Sequence, residues 1–308
     1  MTTRGNQDAP TPPAPRATSG DKRAAGAWSI RSLPELTEDE FQQWRKLLEE
    51  RTGIHLVPQQ KAFLQSQLTI RTRELGDIGF TAYFNSLQQG IDSVVEWSTL
   101  TDRLVVKETS FFRHPPSFQF LRQYIEQRLA DSLVRDSFDT WSVGCSTGEE
   151  PYSLAILIND IFQATPMNCY WGVTGMDISM PALTFARQGV YSRRKLEQVP
   201  AELRETYFSD YDQLRTQVTA RIRERVCFTY GNVIELKKVP PVKMDIISCN
   251  NMLIYFRRWR RRKILNTLAE RLKPGGILII GLGEIVDWSH PLLEPVPDDT
   301  VQAYRCIG

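Results

Sequence analysis

From Phe138 onward, apolar strand-like runs alternate with helical stretches, and this alternation restricts the C-terminal half of the chain more than any other feature. The spacing predicts a strand over 138–143, a helix over 151–163, a strand over 169–176 and a helix over 180–188. After an interruption it predicts strands over 226–230 and 244–249, a helix over 259–272 and a strand over 277–281. Alternation of this kind builds an α/β domain with a mostly parallel sheet and helices on both faces. The interruption, about 189–225, is charged and aromatic and too long for a tight connection, so a small subdomain is expected there.

The N-terminal part reads differently. Residues 1–28 are rich in Pro, Ala, Thr, Ser and Gly and hold almost no large apolar residue before Trp28. Such a segment buries too little surface to offset its ordering entropy, and a disordered tail is expected. Order should begin near Leu36. Thr37-Glu38-Asp39-Glu40 is a capping box, Phe41, Trp44, Leu47 and Leu48 recur at helical spacing, and Thr52-Gly53 ends the helix. A second helix fits 59–75, with Phe63, Leu64, Leu68 and Leu75 largely on one side, and a third fits roughly 80–90. The expected domains are a tail over 1–28, a helical domain over 29–105, a linker and connecting helix over 106–135, and the α/β domain over 136–308.

Charge and cysteine usage narrow the function. A net charge of +2 on 308 residues steers the chain to neither nucleic acid nor an acidic membrane. The five cysteines show no C-x-x-C spacing and read as reduced thiols in the cytoplasm. The three histidines lie far apart and form no metal-ligand pattern. No apolar run reaches the roughly 18 residues that span a bilayer, and no signal peptide is visible.

Three constellations carry chemistry. The first is Trp141-Ser142-Val143-Gly144-Cys145-Ser146-Thr147-Gly148-Glu149-Glu150-Pro151-Tyr152-Ser153, which follows a strand and opens a helix. Its small residues let backbone approach a ligand, and Pro151 suits a first helical turn. Its two acids repel phosphate and attract a cationic sulfonium with a free amino group, and the Gly-Lys-Ser/Thr ending of a phosphate loop is missing. A tight turn with exposed acids is the plainer reading. The second is Gly175-Met176-Asp177-Ile178-Ser179 at the next strand end. Asp177 can accept both ribose hydroxyls of a nucleoside, as acids do in dinucleotide folds, or cap the following helix; both roles are compatible. The third is Asp245–Phe256, an apolar strand ending in Asn250-Asn251. Asn251 is suited to an adenine edge or a ligand amine, and a buried strand with an Asn-Asn turn is the alternative.

Taken together these segments resemble the CheR family of chemotaxis-receptor methyltransferases. Gly144–Ser153 looks like that family's S-adenosylmethionine loop, and Thr109-Ser110-Phe111-Phe112-Arg113 resembles its Thr-x-Phe-Phe-Arg segment. Cys249–Phe256 is similar to its Cys-Arg-Asn-Val-Leu-Ile-Tyr-Phe strand, and Lys273-Pro274-Gly275-Gly276 to the turn before its fifth strand. Order and spacing fit from about residue 36 to the C-terminus.

The resemblance implies a Rossmann-like S-adenosylmethionine methyltransferase domain with a small β-subdomain, preceded by a small all-helical domain. It implies that Thr109, Arg113, Glu150, Asp177, Asn232, Val233, Asn251 and Met252 contact S-adenosylmethionine, with Glu149 the alternative to Glu150. Tyr255 would sit near the transfer centre, and Arg113 would orient the acceptor carboxylate with its planar fork. The implied acceptors are glutamates on the cytoplasmic helices of methyl-accepting chemoreceptors, with S-adenosylhomocysteine as the second product. No metal, nucleic acid or membrane insertion is expected, and a cytoplasmic monomer is. Some family members dock a receptor's C-terminal tether peptide on the β-subdomain beside a glycine-containing loop. The matching stretch here, Phe208–Val218, is short and has no glycine, so tether independence is expected, with Lys61, Arg71 and Arg73 available to an acidic receptor helix.

The chain departs from the family pattern at Lys107 (often Asn), Asn250 (Arg), Gly281-Leu282-Gly283-Glu284 (Gly-His-Ser-Glu) and Ser179 (a second Asp). These departures suggest a divergent branch, for which a chemosensory system for pilus motility is one output. Two other functions compete. One is methylation of RNA or a small molecule, for which the basic run Arg257–Lys263 is the argument, against a solvated helix start. The other is a non-catalytic S-adenosylmethionine sensor.

Overall fold

The computed structural model describes residues 34–88, 93–105, 108–134, 136–165 and 169–308. The expected tail over 1–28 and Lys107 lie outside the described residues. Glu35–Gly308 holds together as one unit. It opens with helices α1 (Glu38–Thr52), α2 (Lys61–Glu74), α3 (Phe80–Ser86) and α4 (Ser93–Leu104). The capping box of α1 forms: Thr37 Oγ1 accepts from the Glu40 amide at 3.2 Å, and Glu40 Oε2 accepts from the Thr37 amide at 3.0 Å. Gly53 ends the helix at φ +80°. Phe41, Trp44 and Leu48 face inward, and Trp44 packs on Tyr83 and Phe84 at 5.6 and 5.1 Å. Thr37→Ala removes one cap and is expected to lower stability by about 1 kcal/mol, read as a shifted denaturation midpoint at unchanged m.

Three features of this region differ from the sequence expectation. Leu64, Leu68 and Thr72 form the buried face of α2, whereas Phe63 and Leu75 are exposed. Phe63 lies one residue, about 100°, around the helix from Leu64, and Leu75 is the C-cap, where the chain has left the helix. The third helix stops at Ser86, and α4 follows as an additional helix. Arg71, expected to be available to a receptor, is engaged within the domain. Its Nε donates to Glu96 at 2.7 Å and its Nη1 to Glu74 at 2.9 Å, while Arg103 holds Glu74 at 2.6 Å. Lys61 reaches Glu38 at 3.2 Å, and Arg73 is exposed.

Helix α5 (Pro115–Ala130) leads into the α/β part: β1 (Ser137–Val143), α6 (Glu149–Ala164), β2 (Tyr170–Asp177) and α7 (Met180–Gln188). The interruption folds as β3 (Val190–Ser192), α8 (Ala201–Tyr207), β4 (Phe208–Asp210), β5 (Arg215–Val218) and α9 (Ala220–Arg223). Its strands form a separate antiparallel sheet in the order β3-β5-β4, the subdomain the sequence predicts. The chain then resumes with β6 (Val226–Tyr230), β7 (Met244–Cys249), α10 (Arg258–Ala269), β8 (Leu272–Ile280), β9 (Leu293–Pro295) and β10 (Gln302–Cys306).

The main sheet runs β6-β2-β1-β7-β8-β10-β9, parallel from β6 to β8 and antiparallel at β10 and β9. Helix α10 ends at Ala269 rather than 272, and β8 begins at Leu272 rather than 277. Met244 pairs with Leu272 and Ile246 with Ile277, so Lys273–Gly276 is a bulge inside the strand. The switch in strand order falls between β1 and β7, and ligands of open α/β sheets bind above such a point, beyond the carboxyl ends of the strands. Among the described residues no helix is long and apolar enough to cross a membrane.

Candidate active site

The segments singled out in the sequence converge on this end of the sheet. The turn after β1 requires glycine twice. Gly144 has φ +77°, and a Cβ on it would meet Met252 Sδ at 2.9 Å. Gly148 has φ +93°, and a Cβ on it would meet Ala186 Cβ at 2.8 Å. Among the described residues six non-glycines take positive φ, and three of them, Phe112, Ser146 and Asn251, are at this site. Such conformations are costly and gather where a ligand must be held.

Two cavities meet here, sharing Gly144, Ser146, Asn251 and Tyr255 as common walls. The larger, about 450 Å³, is lined by Thr109, Arg113 and Glu150. The smaller, about 90 Å³, is lined by Asp177, Asn232, Val233 and Met252. Every site residue expected from the sequence lines one or both cavities, with Glu149 the exception. Adjacent residues at a helix start point about 100° apart. Glu150 turns into the larger cavity, whereas Glu149 is fully buried, accepts from Thr147 Oγ1 at 2.6 Å and pairs with Lys195. Of the two acids, Glu150 is the one on the cavity wall.

Each lining group is held. Ser142 Oγ donates to Glu150 at 2.7 Å and Asn250 Nδ2 at 3.2 Å, so Asn250, where the family pattern has Arg, braces the cavity acid with an amide. Asp177 Oδ2 accepts from the Ser146 amide at 2.8 Å and Oδ1 from the Ser179 amide at 2.9 Å. Burial pushes the Asp177 carboxyl above the usual aspartate range, against the pull of the Ser179, Ser146 and Ile178 amides. Asn232 accepts from the Ile234 amide at 3.2 Å and donates to Arg51 O at 2.8 Å, so its polar ends serve a cap and the helical region. Arg113 is exposed and donates to Glu108 O at 2.7 Å. Burial raises the Tyr255 phenol, while the neighbouring Arg113 charge lowers it.

Other contributors carry no motif. Thr52, Ile54 and Val105 of the helical region line the smaller cavity. One signal for this closeness is Gly53, whose Cβ would meet Ile234 and Phe256 at 2.7 Å. Ser179 Oγ donates to Asp102 on α4, and the Met180 amide donates to Ser98 Oγ at 3.2 Å, which ties α4 to the start of α7. Glu284 is 3% exposed, and burial pushes it up to about 7, against the amides of Leu253 and Asn251 and the charge of Arg261.

The basic run after β7 opens α10 at the surface, with several of its guanidiniums engaged locally. Arg257 pairs with Glu49 at 2.6 Å, Arg258 with Asp287 at 3.1 Å, and Arg261 donates to Phe256 O and Glu284 O at 2.8 and 2.7 Å. Arg262 donates to Asp287 O at 2.5 Å. Arg257, Arg258 and Lys263 remain exposed, as a solvated helix start requires. Among the described residues no cluster of His, Cys, Asp and Glu forms a metal site.

Two carboxylates, Glu150 and Asp177, flank a backbone turn open to a ligand. That donor set suits a cation carrying a ribose. Comparison with known proteins agrees. Residues 39–105 match the model of the CheR methyltransferase all-alpha domain, and residues 107–301 that of the CheR methyltransferase SAM binding domain. A chemotaxis protein methyltransferase of Borreliella burgdorferi is 28% identical over 254 residues, covering 82% of this chain and 89% of that protein. The Escherichia coli chemotaxis protein methyltransferase is 30% identical over 259 residues, covering 83% and 86%. Chemotaxis protein methyltransferase 2 of Pseudomonas aeruginosa is 30% identical over 260 residues, covering 82% and 89%. S-adenosylmethionine is the methyl donor that these domains bind. With the helical and cofactor-binding regions both matched in order, the chain belongs to the CheR methyltransferase family.

Proposed function

We propose that this enzyme esterifies glutamate side chains on the cytoplasmic helices of chemoreceptors. The names of its relatives support chemotaxis as the setting. The observation that carries the acceptor class is Arg113 on the wall of the larger cavity, beside Tyr255. A carboxylate acceptor needs a cation to hold it in a site that also contains Glu150; a neutral amine or base does not.

S-adenosylmethionine supplies an electrophilic methyl group on a sulfonium sulfur. The residues of the chain bind and aim. Asp177 accepts the ribose hydroxyls, Glu150 faces the amino group, and Asn251, Met252, Val233 and Asn232 border the adenine. Thr109 and Arg113 cover the acceptor side, with Arg113 directing one carboxylate oxygen along the line of transfer. A glutamate is already ionised at neutral pH, with a reference pKa near 4.3, so no general base is required. The contribution of the protein is orientation and exclusion of water.

The test is incubation with labelled S-adenosylmethionine and receptor-bearing membranes from the same source. Label released by mild alkali as methanol is the expected result; alkali-stable label would sink the ester reading. Tether independence is tested in the same assay. The β4–β5 connection is closed by Asp212, whose Oδ1 accepts from the Leu214 and Arg215 amides at 2.9 and 2.7 Å, and no residue of 211–214 has positive φ. Removing a receptor's last residues is expected to change the rate by less than about twofold, while added salt weakens a contact made by Arg73 and Lys61. A large loss on truncation would overturn the tether expectation.

A further inference from the structure

The β-subdomain touches the active site at two points that the cofactor motifs do not include. The first is Lys195, in the 3-10 turn Arg193–Leu196. Its Nζ pairs with Glu149 and also donates to the carbonyl of Thr109 at 3.2 Å. The second is the seat of Phe111, which is 1% exposed. Its ring stands edge-on to Tyr191 at 4.9 Å and to Phe208 at 5.2 Å, both subdomain residues. Tyr191 also donates to Thr147 O at 2.6 Å, on the turn before α6.

These contacts bracket a short strap, residues 109–113, whose ends carry Thr109 and Arg113 to the larger cavity. The strap's backbone is also tied to α6: the Phe112 amide donates to Ser153 Oγ at 3.0 Å, and Phe112 sits at φ +49°. Ser153 Oγ in turn donates to Glu149 O at 2.7 Å, so the strap, Glu149 and the first turn of α6 form one bonded unit. An ion pair with one buried partner, as here where Glu149 is buried and Lys195 is 37% exposed, adds little net stability over an apolar replacement, because desolvation offsets the attraction. The Lys195–Glu149 pair therefore matters for where it puts the ammonium, which is against the strap.

We propose that Lys195 is a positioning residue: with Glu149 as its buried counter-charge, it fixes the strap bearing Thr109 and Arg113, and so makes the β-subdomain part of the transfer site. The kinetic consequence rests on the proposed receptor-glutamate reaction; the structural consequence does not.

The experiment compares the full chain with Lys195→Arg, Lys195→Met and the pair Lys195→Met/Glu149→Gln. The paired variant avoids stranding a buried carboxylate, so it folds even where the single one does not. Amide exchange is followed in the presence of S-adenosylhomocysteine, and methylation kinetics with receptor membranes. The paired variant is expected to melt normally, to exchange the Phe112 amide about tenfold faster, and to lose about tenfold or more in kcat. The KM for S-adenosylmethionine should move less than about threefold, and Lys195→Arg should recover most of kcat, because a second cation can reach both partners. A folded paired variant with unchanged exchange over 109–113 overturns the proposal, as does a loss confined to that KM. If the wild-type protein leaves receptor glutamates unmethylated while exchange of the strap still responds to Lys195, the acceptor assignment fails and the positioning role stands.

Discussion

Arg113→Ala is expected to abolish receptor methylation while leaving the fold intact. Arg113 is exposed, and its Nη1 donates to Glu108 O within the same loop, so little of the core depends on it. It stands on the larger cavity wall, where the proposed reaction would use it. Removing one preorganised donor at a reacting oxygen typically reduces kcat by about a hundred- to a thousandfold, and that range is expected here. Arg113→Lys keeps the charge but loses the planar fork, so partial recovery is expected. If Arg113 aims the acceptor, the loss falls on kcat at saturating S-adenosylmethionine. Near-normal turnover of a folded Arg113→Ala protein would remove Arg113 from the site.

The second large effect is expected at Asp177. Replacing it with Ala removes the ribose acceptor and releases the Ser146 and Ser179 amides that its two oxygens hold. Loss of a charged hydrogen bond costs about 1.5–3 kcal/mol, which raises the dissociation constant for S-adenosylmethionine by about 10- to 100-fold. Calorimetry on the folded variant measures this, and unchanged affinity would refute the assignment. The wild-type protein should also show a pH signature. Burial raises the Asp177 carboxyl above the usual aspartate range. Since the charged form is the better acceptor and attracts the cation, affinity should fall on acidification, beginning at a higher pH than for an exposed aspartate.

Much of this site was legible because its parts are local. Strand ends, positive-φ glycines and acids at a helix start are read from a few consecutive residues, and Gly144, Asp177 and Asn251 line the cavities where that reading places them, with Gly148 at the turn. The α/β alternation was legible for the same reason, since strand and helix periods differ within one window. Strands β9 and β10 were not. They are three and five residues long, and their pairing with each other and with β8 gives them their identity. Arg71 was misleading in the same way. A guanidinium on a helix reads as a surface charge until Glu96 arrives from elsewhere in the chain.

The sequence by itself determined the strand–turn–helix frame and the two glycines its first turn requires, because those follow from backbone sterics within short segments, while the ligand was implied by the resemblance of several linked segments to one family. Tertiary structure alone decided which of two adjacent glutamates lines the larger cavity. Glu149 and Glu150 have the same chemistry and neighbouring places, and what separates them lies elsewhere in the chain: Glu149 is buried against Lys195, 46 residues farther along, while Glu150 lines the cavity. It likewise decided that Thr52, Ile54 and Val105 close the smaller cavity. Their side chains carry no mark of that role, since a cavity wall is defined by packing between distant segments rather than by residue type.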